Sequence, residues 1–202
     1  MMVLLDSSLV LLVQNDKDFF MHNIQIALRK FEDSDTDELL SHVDSPELLF
    51  LWSGMTFNYP VHKAHFMKVI HNLPYAYIFK VINEETHDTI GYVELNIDVS
   101  PYKPTPEGAK IGRFLIYKNN MRGKGLGQRI LHLLLKFAFN ELELQTVALK
   151  VISYNEIGII CYQKAGFTTD KIVKDNNKNY DYLMMSINHE KFSNMTKKAK
   201  NI

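Results

Sequence analysis

Cysteine is almost missing: Cys161 is the only one in 202 residues. No intrachain disulfide can form, and no cysteine cluster can hold a metal. Beside Ile159 and Ile160, that thiol reads as a small buried apolar group rather than a nucleophile. No apolar run reaches the roughly 20 residues of a membrane helix, so a cytoplasmic protein without a membrane partner is expected. An excess of either charge is absent too. Lys and Arg number 23, Asp and Glu 23, and the balance gives no reason to expect nucleic acid. No G-x-x-x-x-G-K-[ST] string occurs, which excludes a P-loop. The dinucleotide pattern G-x-G-x-x-G fails at Gln128 when started from Gly123, and at Ile130 when started from Gly125. His62 and His65 are three apart on an expected helix, but no third ligand stands at useful spacing, so no metal is expected. No serine lies in a nucleophile-elbow context, so a catalytic triad is unsupported.

What is present centres on residues 111–128, IGRFLIYKNNMRGKGLGQ. Residues 111–117 read as a buried strand, branched and aromatic with no charge after Arg113. Residues 122–128 are a glycine-rich turn, and a helix follows with Ile130, Leu131, Leu134, Leu135 and Ala138 at helical spacing. Three glycines in five residues let N–H groups converge on a ligand, and the helix dipole adds positive charge there. No acidic residue falls between Gly108 and Asn140, whereas Lys110, Arg113, Lys118, Arg122, Lys124, Arg129 and Lys136 do. The pattern describes a seat for phosphate or pyrophosphate.

The rest of the chain fits one domain of ordinary size, 46% apolar and 23% charged. Residues 1–22 read as an N-terminal extension, a loosely attached helix or strand without the basic start or cleavage site of a signal peptide. Residues 23–190 form the domain. A strand at 24–29 is followed by a helix over 35–43, capped by Asp33 or Ser34. Ser45-Pro46-Glu47 opens a second helix with an N-cap and a proline in the first position. A loop over 54–60 leads to a helix over 62–71. Strands are expected at 75–82, 89–97, 146–153, 167–173 and 181–187, with a helix over 155–166 between the third and fourth. Loops fall at 100–108 and 174–179. Residues 191–202 are a basic polar tail with little to bury, expected to fray.

The string Arg122-Gly-Lys-Gly-Leu-Gly127 is R-x-x-G-x-G in outline and resembles the acetyl-CoA pyrophosphate loop of the GNAT acyltransferase superfamily. A second block, Asn155-Glu-Ile-Gly-Ile-Ile-Cys-Tyr162-Gln-Lys-Ala-Gly166-Phe167, is similar to that family's N-x-x-[AG]-x-x-x-Y-x-K-x-G-F segment. The resemblance spans residues 24–187. It implies an α+β (α/β) fold: a mixed, mostly antiparallel sheet flanked by helices, with a V-shaped splay between two central parallel strands. It also implies acetyl-CoA as co-substrate. The pyrophosphate would be gripped by residues Arg122, Gly123, Lys124, Gly125, Leu126, Gly127 and Gln128. The pantetheine arm would lie along the backbone of Leu115, Ile116 and Tyr117.

Asn155 matches the family residue that contacts this arm, and it is also a good helix N-cap. Tyr162 matches the tyrosine near the cofactor sulfur, where a phenol would protonate the leaving thiolate; a buried helix tyrosine is the other reading. The general base is less plain. Family members that acetylate ribosomal protein N-termini carry glutamate five positions before the asparagine, where this chain has Lys150. Glu94 is the best remaining carboxylate, with a water chain or Glu156 as alternatives. Trp52, Phe57 and Tyr59 are candidates for the acceptor pocket or for plain core.

The function implied is an N-acetyltransferase acting on a primary amine of a small molecule or peptide, as a monomer or homodimer. The alternatives are a non-catalytic acyl-CoA sensor and a basic loop that binds RNA or another polyanion. The family-like pattern begins just after Met21, which makes Met21 a candidate natural start. Mass spectrometry of the native protein is expected to find residue 21 at the N-terminus; an intact residue 1 ends that reading.

Overall fold

The computed structural model describes residues 10–12, 24–98, 107–117, 122–123, 125–174 and 179–200. Lys118 and Lys124, most of the expected loop at 100–108 and most of that at 174–179 lie outside them. Eight strands form one sheet: β1 (Val10–Leu12), β2 (Ile26–Lys30), β3 (Ala76–Asn83), β4 (Thr89–Asp98), β5 (Gly108–Ile116), β6 (Thr146–Ile152), β7 (Thr168–Val173) and β8 (Tyr182–Asn188). Their spatial order is β1-β2-β3-β4-β5-β6-β8-β7. Every neighbouring pair is antiparallel except β5 and β6.

That one parallel pair is short. Gly108, Ala109 and Lys110 face Thr146, Val147 and Ala148, and no pairing follows along the rest of either strand. Beyond it β5 stays with β4 as far as Ile116, and β6 stays with β8 as far as Ile152. The sheet therefore opens into the expected splay.

Helices cover both faces. On one side lie α1 (Thr36–Ser41), preceded by a 3₁₀ turn, α2 (Pro46–Ser53) and α3 (Lys63–His71). Here Phe31, Trp52, Phe57 and Phe66 pack on Tyr92, Leu115 and Tyr117 of the sheet. The expected opening of α2 is present: Ser45 Oγ accepts from the Leu48 N–H at 3.2 Å, with Pro46 in the first turn. On the other side α4 (Leu126–Lys136) lays a wide apolar stripe, from Leu126 and Ile130 to Leu135, over Val93, Leu95, Val147 and Leu149. The helix α5 (Glu156–Lys164) sits beside α4 and buries none of its residues completely.

Two features depart from expectation. After α4 the chain makes a π turn over Phe137–Glu141, in which the Leu142 N–H reaches the Phe137 carbonyl. The wider turn lets successive residues bury in different directions. Phe137 meets Tyr77 and Phe79 of β3 edge-on, while Phe139 stacks on His189 and meets Phe192.

The second departure is a correction: residues 191–200 are not a frayed tail but belong to α6 (His189–Lys200). Phe192 is 4% exposed in the main core, and Met195 sits over Gly166, where a Cβ would stand 2.5 Å from its sulfur. Two apolar anchors are enough to dock a helix that is otherwise mostly polar. Phe192→Ala should cost about 3–5 kcal/mol. Urea unfolding checks this, and a near-neutral result would show α6 to be undocked.

Candidate active site

The glycine turn ends in an uncapped helix. Gly123 and Gly125 have φ of +76° and +78°, a region that favours glycine. Gly125 is the N-cap of α4 and supplies no side-chain cap, and the first turn holds no acidic residue. The first helical bond runs from the Arg129 N–H to the Gly125 carbonyl at 3.2 Å. The N–H groups of Leu126, Gly127 and Gln128 therefore have no partner within the helix. In contrast α2 is capped by Ser45, and α5 by Asn155. Gly127 has a different reason to be glycine: a Cβ there would stand 2.7 Å from Cys161 Sγ, so its bareness lets α5 press against the start of α4.

Arg122 turns back on the strand. Its Nε and Nη2 donate to the Ile116 carbonyl at 3.1 and 2.8 Å. The Tyr117 N–H is spent on Ile90 of β4, and the Leu115 carbonyl also faces β4, against Gly91. Peptide groups alternate along a strand edge. Of the three expected backbone positions, it is therefore Ile116 whose groups face the gap. Leu115 and Tyr117 point their side chains into the α1–α3 layer, where Tyr117 stacks on His42 at 4.4 Å between centroids. Burial, then Glu38 and Asp35, push the Tyr117 phenol well above its ordinary value, and its hydroxyl has no partner among the described residues.

The basic character of this stretch is largely spent internally. Lys110 pairs with Asp98, Arg113 with Glu94, and Arg129 donates to the Ile24 carbonyl. Among the described residues, the donors left at the start of α4 are therefore backbone N–H groups.

Glu94 sits at a β-bulge. Val93 faces Phe114 and Leu95 faces Ile111, so Gly112 and Arg113 together oppose Glu94. Glu94 is 1% exposed; its Oε1 accepts from Arg113 Nε at 2.7 Å and from the Tyr92 hydroxyl. Its Oε2 is met weakly by the Arg113 N–H at 3.4 Å and abuts Gly112, where a Cβ would approach within 2.5 Å. The Phe57 ring covers the guanidinium at 5.3 Å. Burial, and then the charge of Glu94, raise the Tyr92 phenol well above its ordinary value. This unit was not visible in the sequence, although a glycine inside a strand pattern is the usual mark of a bulge.

On the other side of the gap stands α5. Asn155 Oδ1 accepts from the Gly158 N–H at 3.0 Å, so the capping role is present. Tyr162 is half-buried and meets Phe167 edge-on. Burial, and then the neighbouring Cys161, hold its phenol above the ordinary value. Its hydroxyl makes no hydrogen bond with a described residue. Burial pushes the Cys161 thiol up to about 11, against the pull of Lys164, which suits an inert packing group. Glu156 is exposed in the first turn of α5. Trp52 and Phe57 are 6% and 5% exposed in the core of the helical layer, while Tyr59 is exposed and donates to the Asp44 carbonyl. Lys150 is exposed on β6, its ammonium over the Tyr182 ring.

These features define a splayed sheet with an uncapped helix start at its mouth, and comparison with known proteins gives the class. The profile of the family described as "Acetyltransferase (GNAT) domain" matches residues 25–168. The chain belongs to the GNAT acetyltransferase family. A search of curated protein sequences finds no match. Among solved structures, the aminoglycoside acetyltransferase AAC(6')-Ib in complex with coenzyme A and kanamycin superposes with a TM-score of 0.67 at 18% identity. That match covers 84% of this chain and 98% of the other. The spermidine N-acetyltransferase of Vibrio cholerae, in complex with CoA and spermine, superposes with a TM-score of 0.66 at 19% identity, covering 83% and 97%. At such identities the likeness is one of fold. Among the described residues no group of three His, Cys, Asp or Glu could hold a metal, and no helix is long and apolar enough to cross a membrane.

A buried ion pair is costly to break from one side only. Glu94→Gln should cost about 3–5 kcal/mol, because it leaves Arg113 charged beneath Phe57. Glu94→Leu combined with Arg113→Met should cost less than Glu94→Gln alone. Urea unfolding of the variants measures both, and additive losses would show that the two side chains are not coupled.

Proposed function

We propose that this chain is an N-acetyltransferase that moves an acetyl group from acetyl-CoA to a primary amine. The observation that carries this is the uncapped start of α4 at the open end of the β5–β6 gap. Its free N–H groups and helix dipole suit a diphosphate, and the gap admits an extended arm beside Ile116. The N–H groups of Leu126, Gly127 and Gln128, with the turn from Arg122 to Gly125, hold the diphosphate. Arg122 braces the turn against β5 through the Ile116 carbonyl, and the Ile116 N–H lines the arm's path. Asn155 fixes the start of α5 through its cap, which sets where Tyr162 stands.

In the reaction the amine nitrogen attacks the thioester carbonyl, a C–N bond forms, and the C–S bond breaks. The amine's proton must leave and the departing sulfur must gain one. We assign protonation of the sulfur to Tyr162. A phenol raised by burial is fully protonated at neutral pH, and a hydroxyl without an internal partner is free to donate. We assign removal of the amine's proton to Glu94 acting through its Oε2. This oxygen lies beside the exposed Gly112, where a water can relay the proton, while Arg113 and Tyr92 hold the other oxygen.

The test is Tyr162→Phe, which keeps the ring and its contact with Phe167. Turnover, followed as thiol release across an amine panel, should fall by about 10²-fold or more. CoA affinity by calorimetry should stay within a factor of two or so. The pH sign follows from the raised phenol. Tyr162 loses its proton only above its ordinary value of about 10, so its ionisation removes activity on the alkaline side of that point. Any limb seen at lower pH should persist in Tyr162→Phe. Undiminished turnover at every pH would exclude the acid role, and CoA binding without turnover of any amine would point to a sensor.

A further inference from the structure

Lys150 lies in an aromatic row that spans the gap. Its ammonium is 3.7 Å from the centroid of the Tyr182 ring. Tyr182 meets Tyr180 at 5.4 Å, and Tyr180 meets Phe50 of α2 at 5.3 Å and Tyr154 at 5.9 Å. The face is fixed by strand alternation. Val147, Leu149 and Val151 point into the core beneath α4. Ala148, Lys150 and Ile152 therefore point to the α2 side, together with Tyr182 and Met184 of β8. Since α2 packs on β5, the Phe50–Tyr180–Tyr182 row runs from above β5 to β6 and β8, on the face opposite α4 and α5. Lys150 is exposed there, and among the described residues no helix covers it.

The charge of this wall is positive. Lys150 has no carboxylate partner among the described residues; a ring holds its ammonium instead, which leaves the charge available to a guest. Glu94 and Asp181, two carboxylates near the row, are engaged or turned away. Glu94 is neutralised by Arg113. Asp181 continues the β6–β8 pairing through Ser153, and alternation turns its side chain to the face opposite Tyr182. Glu47 stands one turn before Phe50 on α2, exposed to solvent.

A polyamine or an aminoglycoside carries several positive charges and would meet Lys150 as a like charge. We propose that Lys150 with Phe50, Tyr180 and Tyr182 forms the wall that selects the acceptor, and that the acceptor is a primary amine carrying a carboxylate on an aromatic or apolar skeleton. The rings take the skeleton, Lys150 takes the carboxylate, and the amine reaches the gap. This rests on the transferase reading above.

The test uses phenylalanine, phenylalaninamide and spermidine as probes. CoA-saturated protein is titrated with each by calorimetry, for the natural chain and for Lys150→Met and Lys150→Glu. Phenylalanine should bind about tenfold tighter than its amide, the scale of one hydrogen bond to a charged group. Lys150→Met should erase that ratio without changing CoA affinity, and Lys150→Glu should reverse it in favour of the amide and spermidine. Equal binding of acid and amide, no binding of either, a ratio that survives in Lys150→Met, or tighter spermidine binding would overturn the proposal. Thiol release with the same probes separates the two readings. Lys150-dependent binding without turnover sinks the transferase alone, whereas turnover with a KM indifferent to the carboxylate sinks the acceptor wall alone.

Discussion

Strands β5 and β6 pair through Lys110, and two residues later β5 bulges at Gly112 and Arg113. A bulge bends its strand and sharpens the local twist, so the bulge lies where β5 must turn away from β6. What holds it is Glu94. The carboxylate projects from β4 into the space that a Gly112 side chain would occupy, and it binds the Arg113 guanidinium. The bulge also reverses the faces of β5. Ala109 and Ile111 point to the α4 side, whereas Arg113, Leu115 and Tyr117 point to the α1–α3 side. The buried ion pair thus acts through geometry, holding the bulge that sends the end of β5 into the helical layer. Such pairs seldom add net stability over apolar packing, so the conformation it specifies is the better account of its presence.

Around the opening, three glycines serve two physical needs. Gly123 and Gly125 accept a backbone region that side chains resist, which brings the chain round from β5 to α4 without a cap. Gly127 admits the sulfur of Cys161 and so brings α5 against α4. The uncapped helix start and the position of Tyr162 are therefore linked through one contact. A side chain at Gly127 would push α5 outward and shift Tyr162 with it, even though Gly127 is remote from the reacting atoms.

Much of this was legible before the fold was known, where local chemistry decides structure. The strand–turn–helix unit at 111–128 and the Ser45-Pro46 start of α2 follow from propensity and capping. The unread parts depend on contacts between distant residues. Arg113 and Glu94 are 19 residues apart, and their pairing depends on the register of two strands. The α6 segment carries few apolar residues among lysines, so its docking is decided by Phe139 and Gly166, on elements far from it in sequence. Trp52 and Phe57 could have lined a pocket or filled a core, and Phe66 with Tyr92 turns them into core. The Phe50–Tyr180–Tyr182 row is assembled from α2 and the start of β8, and no local pattern announces it.

The two faces of the parted sheet divide the chemistry. Glu94 shares a face with Tyr92 and the α1–α3 layer, whereas Tyr162 packs with the core beneath α4. On the proposed reading, the group that receives the amine's proton and the group that supplies one to sulfur stand on opposite sides of the gap. Neither can hand a proton directly to the other, so each must exchange with solvent from its own side between turnovers. The same division separates the ligands. On the two proposals together, the anionic end of the donor would be held by the α4 terminus, and the acceptor would be met on the α2 side, beside Lys150. The two halves of the proposed reaction then share only the opening between β5 and β6, and the Gly112 bulge with its ion pair stands where β5 leaves β6.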